Sequence, residues 1–464
     1  MLLRFTVSNY LSFSEEVEFN MFPYTRLREM KDHIYETQQV DLLKSAAIYG
    51  ANGAGKSNFV KAIRYLRDLV ISNDLVQPTG TPQPFRLDKK YADQPSSFCI
   101  EFKIGPRYFL YGISIKDLII EEEFAYEVIP KSRKDDLIFH RRYLAKNIEV
   151  EFGEKYRRSE EAITRLDIYV NEILTPAETL IHLLSEYEAF QEAYLIHSWF
   201  ENNLPIVTPD AFFLDLPAAL NNNDQFSLFA NGILSQLDTG INHIGLEQLD
   251  FDEFFGYDEP EKKQEALKRL NSGEEVVKYL LGHEMVLVSQ KDSRLVVSRV
   301  FTNHLGVDGK NVKFHLWQES DGTRRIVDFI PLWESLFTKD VTVIVDEIGR
   351  SLHPNLLHQL LELFSKSHTT GQLIFTTHDA GLLSKKLFRS DEIWTVNKSK
   401  AGNSSMHSIS EFKPRHDLDL RKGYLNGRFG GTPNLKHLDP KDLLNETQPE
   451  LYPARGGLGN LLRS

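Results

Sequence analysis

Cysteine is almost missing from this sequence, because the 464 residues contain one, Cys99. A single thiol excludes a disulfide framework and a cysteine-based zinc cluster within one copy of the chain, and a reducing cytoplasm is the expected setting. Long apolar runs are missing too, since none approaches the roughly 18–20 residues that a membrane-spanning helix needs. The first residues, MLLRFTVSNYLSF, predict a β-strand rather than a signal peptide. We therefore expect no association with a membrane.

Positive charge is also in short supply: 54 Lys and Arg stand against 66 Asp and Glu, so the net charge is −12. This balance opposes non-specific DNA binding by the whole surface. DNA binding stays possible but is not favoured, because two short basic clusters, 131–136 and 140–146, could line a local groove or could be ordinary solvated faces. The sequence contains no fixed-period repeat and no long heptad run, so neither a solenoid nor an extended coiled coil is expected.

The length predicts two or three structural units. Two β-rich segments, far apart in sequence, bracket a largely helical stretch, and we expect them to fold together into one mixed α/β head. The helical stretch holds a capping box, with Thr175 as N-cap, Pro176 at the first helical position and Glu178 closing the box. The predicted division is an N-terminal lobe (1–153), a helical insertion for partner binding or oligomerisation (154–283), a C-terminal lobe (284–412) and a tail (413–464).

The most specific motif is G-x-x-x-x-G-K-S, from Gly50 to Ser57, between a predicted strand and a predicted helix over 57–72. Glycines let the backbone curl around an anion, and the helix N-terminus adds partial positive charge. Lys56 would reach the β- and γ-phosphate oxygens of ATP, and Ser57 would bind Mg²⁺. The predicted nucleotide-binding residues of this loop are Gly50, Asn52, Gly53, Ala54, Gly55, Lys56, Ser57 and Asn58.

Two later segments could complete a hydrolytic site. The apolar run Val341–Val345 is typical of a buried parallel strand and ends in two acids. Asp346 would complete the Mg²⁺ shell and Glu347 would act as general base on the attacking water. A second apolar strand, in QLIFTTHDAGLL (372–383), ends in Thr376, Thr377 and His378, and His378 could contact the γ-phosphate at the carboxyl edge of the sheet.

The order of these motifs, with QESDGTRRI (318–326), SLHP (351–354) and TTHD (376–379), resembles the ABC-class ATPases of the SMC and OLD-nuclease kind. Within that class the chain resembles the ATPases of abortive-infection and anti-phage loci, as does its tail, GYLNGRFGGTPNL (423–435), and the chain is most similar to the ATPases of PARIS-type systems. The resemblance covers about residues 1–115 and 300–435. It implies an α/β, ABC-type ATPase head with a mixed sheet and flanking helices, carrying a mostly helical insertion.

The resemblance also assigns residues. ESDGT (319–323) lies where the class carries its signature, so Ser320 and Gly322 would bind the γ-phosphate held by an opposite subunit. Asp321 departs from that pattern, and a plain turn with an N-cap is the competing interpretation. The segment 348–354 corresponds to the D-loop, and the Q-loop has no clear position, with Gln83 only a guess. A split site of this kind implies a homo-oligomer, at least a head-to-head dimer.

Proteins of the OLD kind often carry a Toprim nuclease, which needs a strand-borne glutamate followed by D-x-D. Asp417–Leu418–Asp419 supplies only the second part, so a separate Toprim-type effector is expected, and a phage-encoded trigger is possible. The segment 246–261 mixes acids with aromatics and could bind a basic partner, or could be buried aromatics under an acidic surface. The sequence leaves open a DNA-clamping, SMC-like repair ATPase and a scaffold that binds ATP without hydrolysis.

Overall fold

The computed structural model describes residues 1–37, 39–77, 80–130, 132, 134–158, 160–209, 216–256, 260–281, 284–415 and 418–432. No helix in these ranges is long and apolar enough to cross a membrane.

The N-terminal third is mostly β-structure around one long helix. Its elements are β1 (Leu2–Ser8), β2 (Val17–Asn20), β3 (Ile34–Tyr35), β4 (Leu42–Leu43), β5 (Ser45–Gly50), α1 (Lys56–Ser72), β6 (Ser96–Ile104), β7 (Arg107–Lys116), β8 (Ile119–Val128), β9 (Asp136–Leu144) and β10 (Asn147–Phe152). Seven of these strands form an antiparallel sheet in the order β10-β9-β8-β7-β6-β1-β2. The alternating segments predicted between 97 and 152 are confirmed as β6, β7, β8 and β10.

The middle of the chain begins with helices and then turns to β-structure. Its elements are α2 (Glu160–Ile168), α3 (Leu180–Ser185), α4 (Gln191–Ser198), β11 (Ile206–Val207), α5 (Leu216–Asn222), α6 (Asp224–Gln236), β12 (Ile241–Asp250), α7 (Phe251–Phe255), α8 (Pro260–Asn271), β13 (Val277–Leu281), β14 (Glu284–Lys291), β15 (Arg294–Leu305) and β16 (Asn311–His315).

The C-terminal part alternates helices and strands, as the sequence predicts. Its elements are α9 (Asp321–Thr338), β17 (Thr342–Val345), α10 (Pro354–Lys366), β18 (Gln372–Thr376), β19 (Ile393–Lys398), β20 (Ser404–Ser408) and α11 (Leu420–Leu425).

A six-stranded sheet joins the two ends of the chain, in the order β11-β17-β18-β5-β19-β20. Its strands are parallel from β11 to β19, and β20 is antiparallel to β19. Both faces of this sheet are buried: Val343 and Val345 lie in the core beneath α9 and α10, whereas Ile344 lies in the core shared with the seven-stranded sheet. A parallel sheet covered on both faces is expected for continuous apolar runs. The predicted mixed α/β head is therefore confirmed.

The segment predicted as a helical insertion differs from that prediction in two ways. Its first part is not separate, because Leu180, Ile196 and Trp199 are buried in the same core as the N-terminal sheet. Its last part contains β-structure as well as helices: β12 and β13 belong to a five-stranded sheet with β14, β15 and β16, and this sheet has a small core of its own. The predicted boundary at 283/284 falls between β13 and β14, which pair as a hairpin.

Candidate functional site

The glycine loop between β5 and α1 has a backbone that other residues would not easily adopt. Gly53 and Gly55 have φ angles of 72° and 120°, which L side chains rarely adopt. A Cβ atom on Gly55 would also lie 2.4 Å from Ser404 Oγ. Helix α1 then begins at Lys56, so its first N–H groups face the loop. The sequence therefore specifies the curled loop that phosphate binding needs.

Two serines outside the known motifs, Ser12 and Ser404, contact this loop through hydrogen bonds. Ser404 Oγ lies 2.6 Å from the carbonyl oxygen of Ala54 and 2.8 Å from Ser12 Oγ. Asn58, predicted to bind nucleotide, donates from Nδ2 to Ser12 Oγ at 2.8 Å. In this structure the Asn58 side chain therefore supports the loop, and Ser12 and Ser404 are functional candidates that sequence reasoning missed.

The ammonium group of Lys56 lies next to the first residues of the loop. Its Nζ donates to the carbonyl oxygens of Gly50 at 2.7 Å and Ala51 at 3.2 Å. Burial lowers the pKa of Lys56 to about 8, and the nearby carboxylates of Asp346 and Glu347 oppose this shift. A cation held close to the phosphate loop is what an anionic ligand requires.

The two acids after β17 are fixed by one hydroxyl of the neighbouring strand. Thr376 Oγ1, at the end of β18, donates to Asp346 Oδ1 at 2.5 Å and accepts from the backbone N–H of Glu347 at 2.8 Å. Asp346 is buried, whereas the Glu347 side chain is 39% exposed. Glu347 also has a φ angle of 55°, an uncommon conformation for a residue with a side chain. A strained backbone at Glu347, whose side chain is half-exposed, is consistent with a functional role for this residue.

His378 links the lysine to the glutamate. Its Nδ1 lies 3.3 Å from Lys56 Nζ, and its Nε2 lies 3.8 Å from Glu347 Oε1. An ammonium group can only donate, so in a contact with protonated Lys56 the Nδ1 atom would accept, and the proton of the neutral ring would lie on Nε2. Burial and the Lys56 charge lower the pKa of His378, while Glu347 opposes them. The structure thus brings together Lys56, Asp346, Glu347 and His378.

The oxygen donors present fit Mg²⁺. Ser57 follows Lys56 in the first turn of α1, and Asp346 offers a buried carboxylate near Lys56. A hydroxyl and a carboxylate are hard ligands of the kind that Mg²⁺ takes together with water and substrate phosphates. In the described ranges, no group of three or more His, Cys, Asp or Glu side chains could hold a metal by itself. Such a partial shell is the usual arrangement where phosphate supplies the other ligands.

The predicted signature residues lie at the start of α9. Ser320 is the N-cap of this helix, and its Oγ accepts from the Thr323 N–H at 3.1 Å. Asp321 pairs with Arg324 in the same turn. A Cβ atom on Gly322 would lie 2.8 Å from the carbonyl oxygen of Ser351, so glycine allows this segment to pack against the predicted D-loop. Among the described residues, no hydrogen bond joins Ser320 or Gly322 to the glycine loop.

Comparison with known proteins agrees with this arrangement. The sequence profile of a family described as "AAA domain, putative AbiEii toxin, Type IV TA system" matches residues 45–384, which run from the loop strand to just beyond His378. The chain belongs to this AAA-domain family. Its membership supports a nucleotide-binding ATPase fold.

Among solved structures, this AAA-family chain is similar to an SMC head domain from Thermotoga maritima, at 12% identity and a TM-score of 0.35, over 88% of this chain and 98% of that one. It is also similar to an SMC head bound to the C-winged helix domain of ScpA, at 12% identity and a TM-score of 0.38, over 89% of this chain and 99% of that one. Among proteins with curated descriptions, none matches.

Two residues of the basic cluster 140–146 in this AAA-family chain, His140 and Arg141, contact carboxylates of the same sheet. Arg141 is fully buried and pairs with Glu123 at 3.3 Å, and His140 lies 2.7 Å from Glu122. The other cluster, 131–136, lies partly outside the described residues. Ion pairs within the fold account for His140 and Arg141 without nucleic acid.

Two other predicted segments also have structural explanations. In the acidic aromatic segment, Phe251 is buried in the small core of the five-stranded sheet, and Asp252 pairs with Lys263 at 2.5 Å. In the D-x-D sequence, Asp417 lies outside the described residues, while Asp419 is the N-cap of α11 and accepts from the Lys422 N–H. Gln83, the tentative Q-loop position, accepts a hydrogen bond at its carbonyl oxygen from the Leu11 N–H at 2.8 Å.

Proposed function

We propose that this chain is an ATPase that uses Mg²⁺ and acts as a nucleotide-driven sensor or scaffold in anti-phage defence. One observation carries the catalytic part of the proposal. Side chains from three distant segments, at positions 56, 346–347 and 378, converge at the carboxyl ends of adjacent parallel strands. His378 lies between the other two groups, 3.3 Å from Lys56 Nζ and 3.8 Å from Glu347 Oε1. Ligands of open α/β sheets bind in that crevice.

Different residues would bind the phosphates, bind the metal and transfer the proton. The loop N–H groups and Lys56 would bind the β- and γ-phosphates, and Ser57 and Asp346 would hold Mg²⁺. When bound, this ion neutralises charge that develops on the phosphates. Glu347 would accept a proton from the attacking water. Its side chain is half-exposed, and its backbone N–H donates a hydrogen bond to the Thr376 hydroxyl. His378 would donate from Nε2 to the γ-phosphate or to Glu347.

The signature segment would act on a second copy of the chain. Ser320 and Gly322 begin α9, so the helix N-terminus would offer N–H groups to the γ-phosphate bound by the opposite subunit. Arg324, paired with Asp321, offsets the acidic residue that departs from the signature pattern. ATP would then favour a closed pair and hydrolysis would favour its separation, because the closed state alone completes the site.

The role in defence rests on two resemblances. The family description names a putative AbiEii toxin and a type IV toxin–antitoxin system, and the motif order and tail resemble the ATPase component of PARIS-type anti-phage systems. We therefore propose a cytoplasmic homo-oligomer that controls a separate effector, a Toprim-type nuclease, in response to a phage-encoded trigger. A DNA-clamping role is not proposed, because Arg141, in the described basic cluster, is buried against Glu123.

Glu347→Gln tests the hydrolytic part. It removes the proton acceptor and keeps the shape, so turnover should fall by roughly 10²–10⁴-fold, while the dissociation constant for ATP stays within about twofold. The variant should also trap the closed pair, visible as a doubled mass by light scattering with ATP and Mg²⁺. Lys56→Ala, which should lose ATP binding and the mass change, is the control.

Two results would contradict the proposal. If Glu347→Gln retained wild-type turnover, Glu347 would not be the base. If the wild-type chain bound no ATP, the phosphate loop would have another ligand. Affinity capture of the trapped Glu347→Gln assembly from cells, with and without ATP, tests the defence role through the nuclease or trigger that co-purifies only with the closed form.

A further inference from the structure

The segment Leu420–Gly431 contains α11 and the glycine turn Gly427–Gly431. It packs into the core beside the end of β5, where the phosphate loop begins. Tyr424 and Phe429 are buried in the same core as the last strand residues before the loop. The ring of Tyr424 meets that of Tyr49, the residue before Gly50, edge to face at 5.6 Å. The segment is therefore part of the packing that positions the end of β5.

The last residue of the glycine turn lies next to Gly50. A Cβ atom on Gly431 would lie 3.5 Å from Gly50 Cα and 3.1 Å from the Tyr424 ring. The turn is held on both sides: Asn397, on β19, accepts from the Gly431 N–H, and the Tyr424 hydroxyl donates to the Gly431 carbonyl at 2.9 Å. The backbone of Gly431 is thus fixed against the first residue of the loop.

Gly50 has little room to move away from this contact. A Cβ atom on Gly50 would lie 2.8 Å from the carbonyl oxygen of Val396, the residue of β19 that pairs with it. The Gly50 carbonyl also accepts from Lys56 Nζ at 2.7 Å. A shift of Gly431 would therefore move Gly50, and through it the lysine that is expected to bind phosphate.

We propose that Gly431, the last residue of the glycine turn, positions the phosphate loop together with Asn397, so that these two are positioning residues for nucleotide binding. This inference rests on the proposed function, because the ligand of the loop is taken to be ATP. The coupling must be reciprocal. Binding of ATP at the loop should protect the backbone amide of Gly431, although that amide is expected to touch no phosphate.

A matched pair of substitutions tests the inference. Gly431→Ala and Gly427→Ala impose the same backbone strain, because both glycines have a φ angle of 73°. Only the Cβ atom on Gly431 would crowd the Tyr424 ring, at 3.1 Å, and reach Thr395 and Gly50 at 3.4 and 3.5 Å, since that on Gly427 would meet Thr432 Oγ1 at 3.3 Å. We expect Gly431→Ala to weaken binding of a fluorescent ATP analogue roughly tenfold and Gly427→Ala to change it less than about twofold.

Hydrogen–deuterium exchange of residues 46–57 without nucleotide gives a second measurement that does not depend on ATP. Exchange should rise in Gly431→Ala and match the wild type in Gly427→Ala. A second pair repeats the comparison with less strain: Asn397→Asp keeps an acceptor oxygen for the Gly431 N–H and should bind ATP normally, whereas Asn397→Leu should not.

The outcomes separate the two ideas. If the wild type binds no ATP analogue, the proposed function is wrong. If the wild type binds it, and the two glycine variants give equal affinities and equal exchange over 46–57, the positioning role of the turn is wrong. Equal loss of binding in Asn397→Asp and Asn397→Leu also overturns it, because the acceptor would then not matter.

Discussion

At the scale of single residues, the hydroxyl of Thr376 does more than the motifs suggest. It accepts from the Glu347 N–H and donates to the Asp346 carboxylate, so one atom sets the backbone of the candidate base and the orientation of the candidate metal ligand. Groups that orient metal ligands and bases in this way commonly matter nearly as much as the ligands themselves.

We expect Thr376→Val to lower kcat for ATP by roughly 10–100-fold, because valine keeps the shape but can neither donate nor accept. Thr376→Ser, which keeps the hydroxyl, should stay within about threefold of the wild type. Steady-state phosphate release measures both, and circular dichroism checks that both variants fold. Equal activity of the valine and serine variants would show that packing alone is needed here.

The sequence predicted the residues that chemistry requires by type, because a phosphate loop needs Gly, Lys and Ser at fixed spacing. It could not predict Ser12 and Ser404, which lie 392 positions apart and meet only once the strands have paired. Serine is common and carries no spacing signal, so such a contact is invisible before the topology is known. The same holds for Gly431 against Gly50.

At the scale of elements, the buried carboxylate of Glu123 connects the antiparallel sheet to α3. From β8 it accepts from the N–H groups of Leu180 at 2.7 Å and Ile181 at 2.9 Å, and it pairs with Arg141. A carboxylate at a helix N-terminus stabilises N–H groups that the helix itself leaves without partners. The helix is thereby attached to the sheet by charge as well as by apolar contact.

This contact explains why the predicted start of that helix was wrong. Glu178 Oε2 does accept from the Thr175 N–H at 3.2 Å, as a capping box requires. The helix nevertheless begins at Leu180, after the N-cap Thr179, because Glu123 captures the N–H groups there. One half of the predicted capping box forms at Thr175, but a side chain about sixty residues earlier decides where the helix begins.

Adjacent glutamates on β8 give a test of this attachment. Glu123→Ala should lower the free energy of unfolding by about 3–5 kcal/mol, because it leaves Arg141 buried without its partner. Glu122→Ala should cost less than about 1 kcal/mol, since that side chain is 39% exposed and its partner Arg142 is 55% exposed. Urea denaturation followed by circular dichroism compares them, and similar losses for the two variants would contradict the assigned role.

At the scale of the whole molecule, the proposed site is shared between two copies, and mixing can test this. Lys56→Ala lacks a working phosphate loop but keeps its signature segment. Ser320→Arg, at an exposed N-cap, keeps the loop and blocks the signature surface. Each variant alone should be inactive as an ATPase.

In a mixed pair, the loop of one variant meets the signature segment of the other, so one of the two sites is intact. With random pairing, half of the dimers in an equimolar mixture contain one copy of each variant, and each of these dimers has one intact site out of two. The mixture should therefore recover about a quarter of wild-type turnover. Phosphate release before and after mixing measures this. No recovery would mean that the signature segment does not act across a dimer.

The positions of the four tryptophans give the molecule a built-in optical reporter. Trp199, Trp333 and Trp394 are at most 4% exposed, whereas Trp317 is 61% exposed and lies three residues before Ser320. Long-wavelength emission of the intrinsic fluorescence should therefore come from Trp317. If another molecule covers that surface when ATP is added, the spectrum of Glu347→Gln should move to shorter wavelength, and the shift should vanish when Trp317→Phe is added to the same variant.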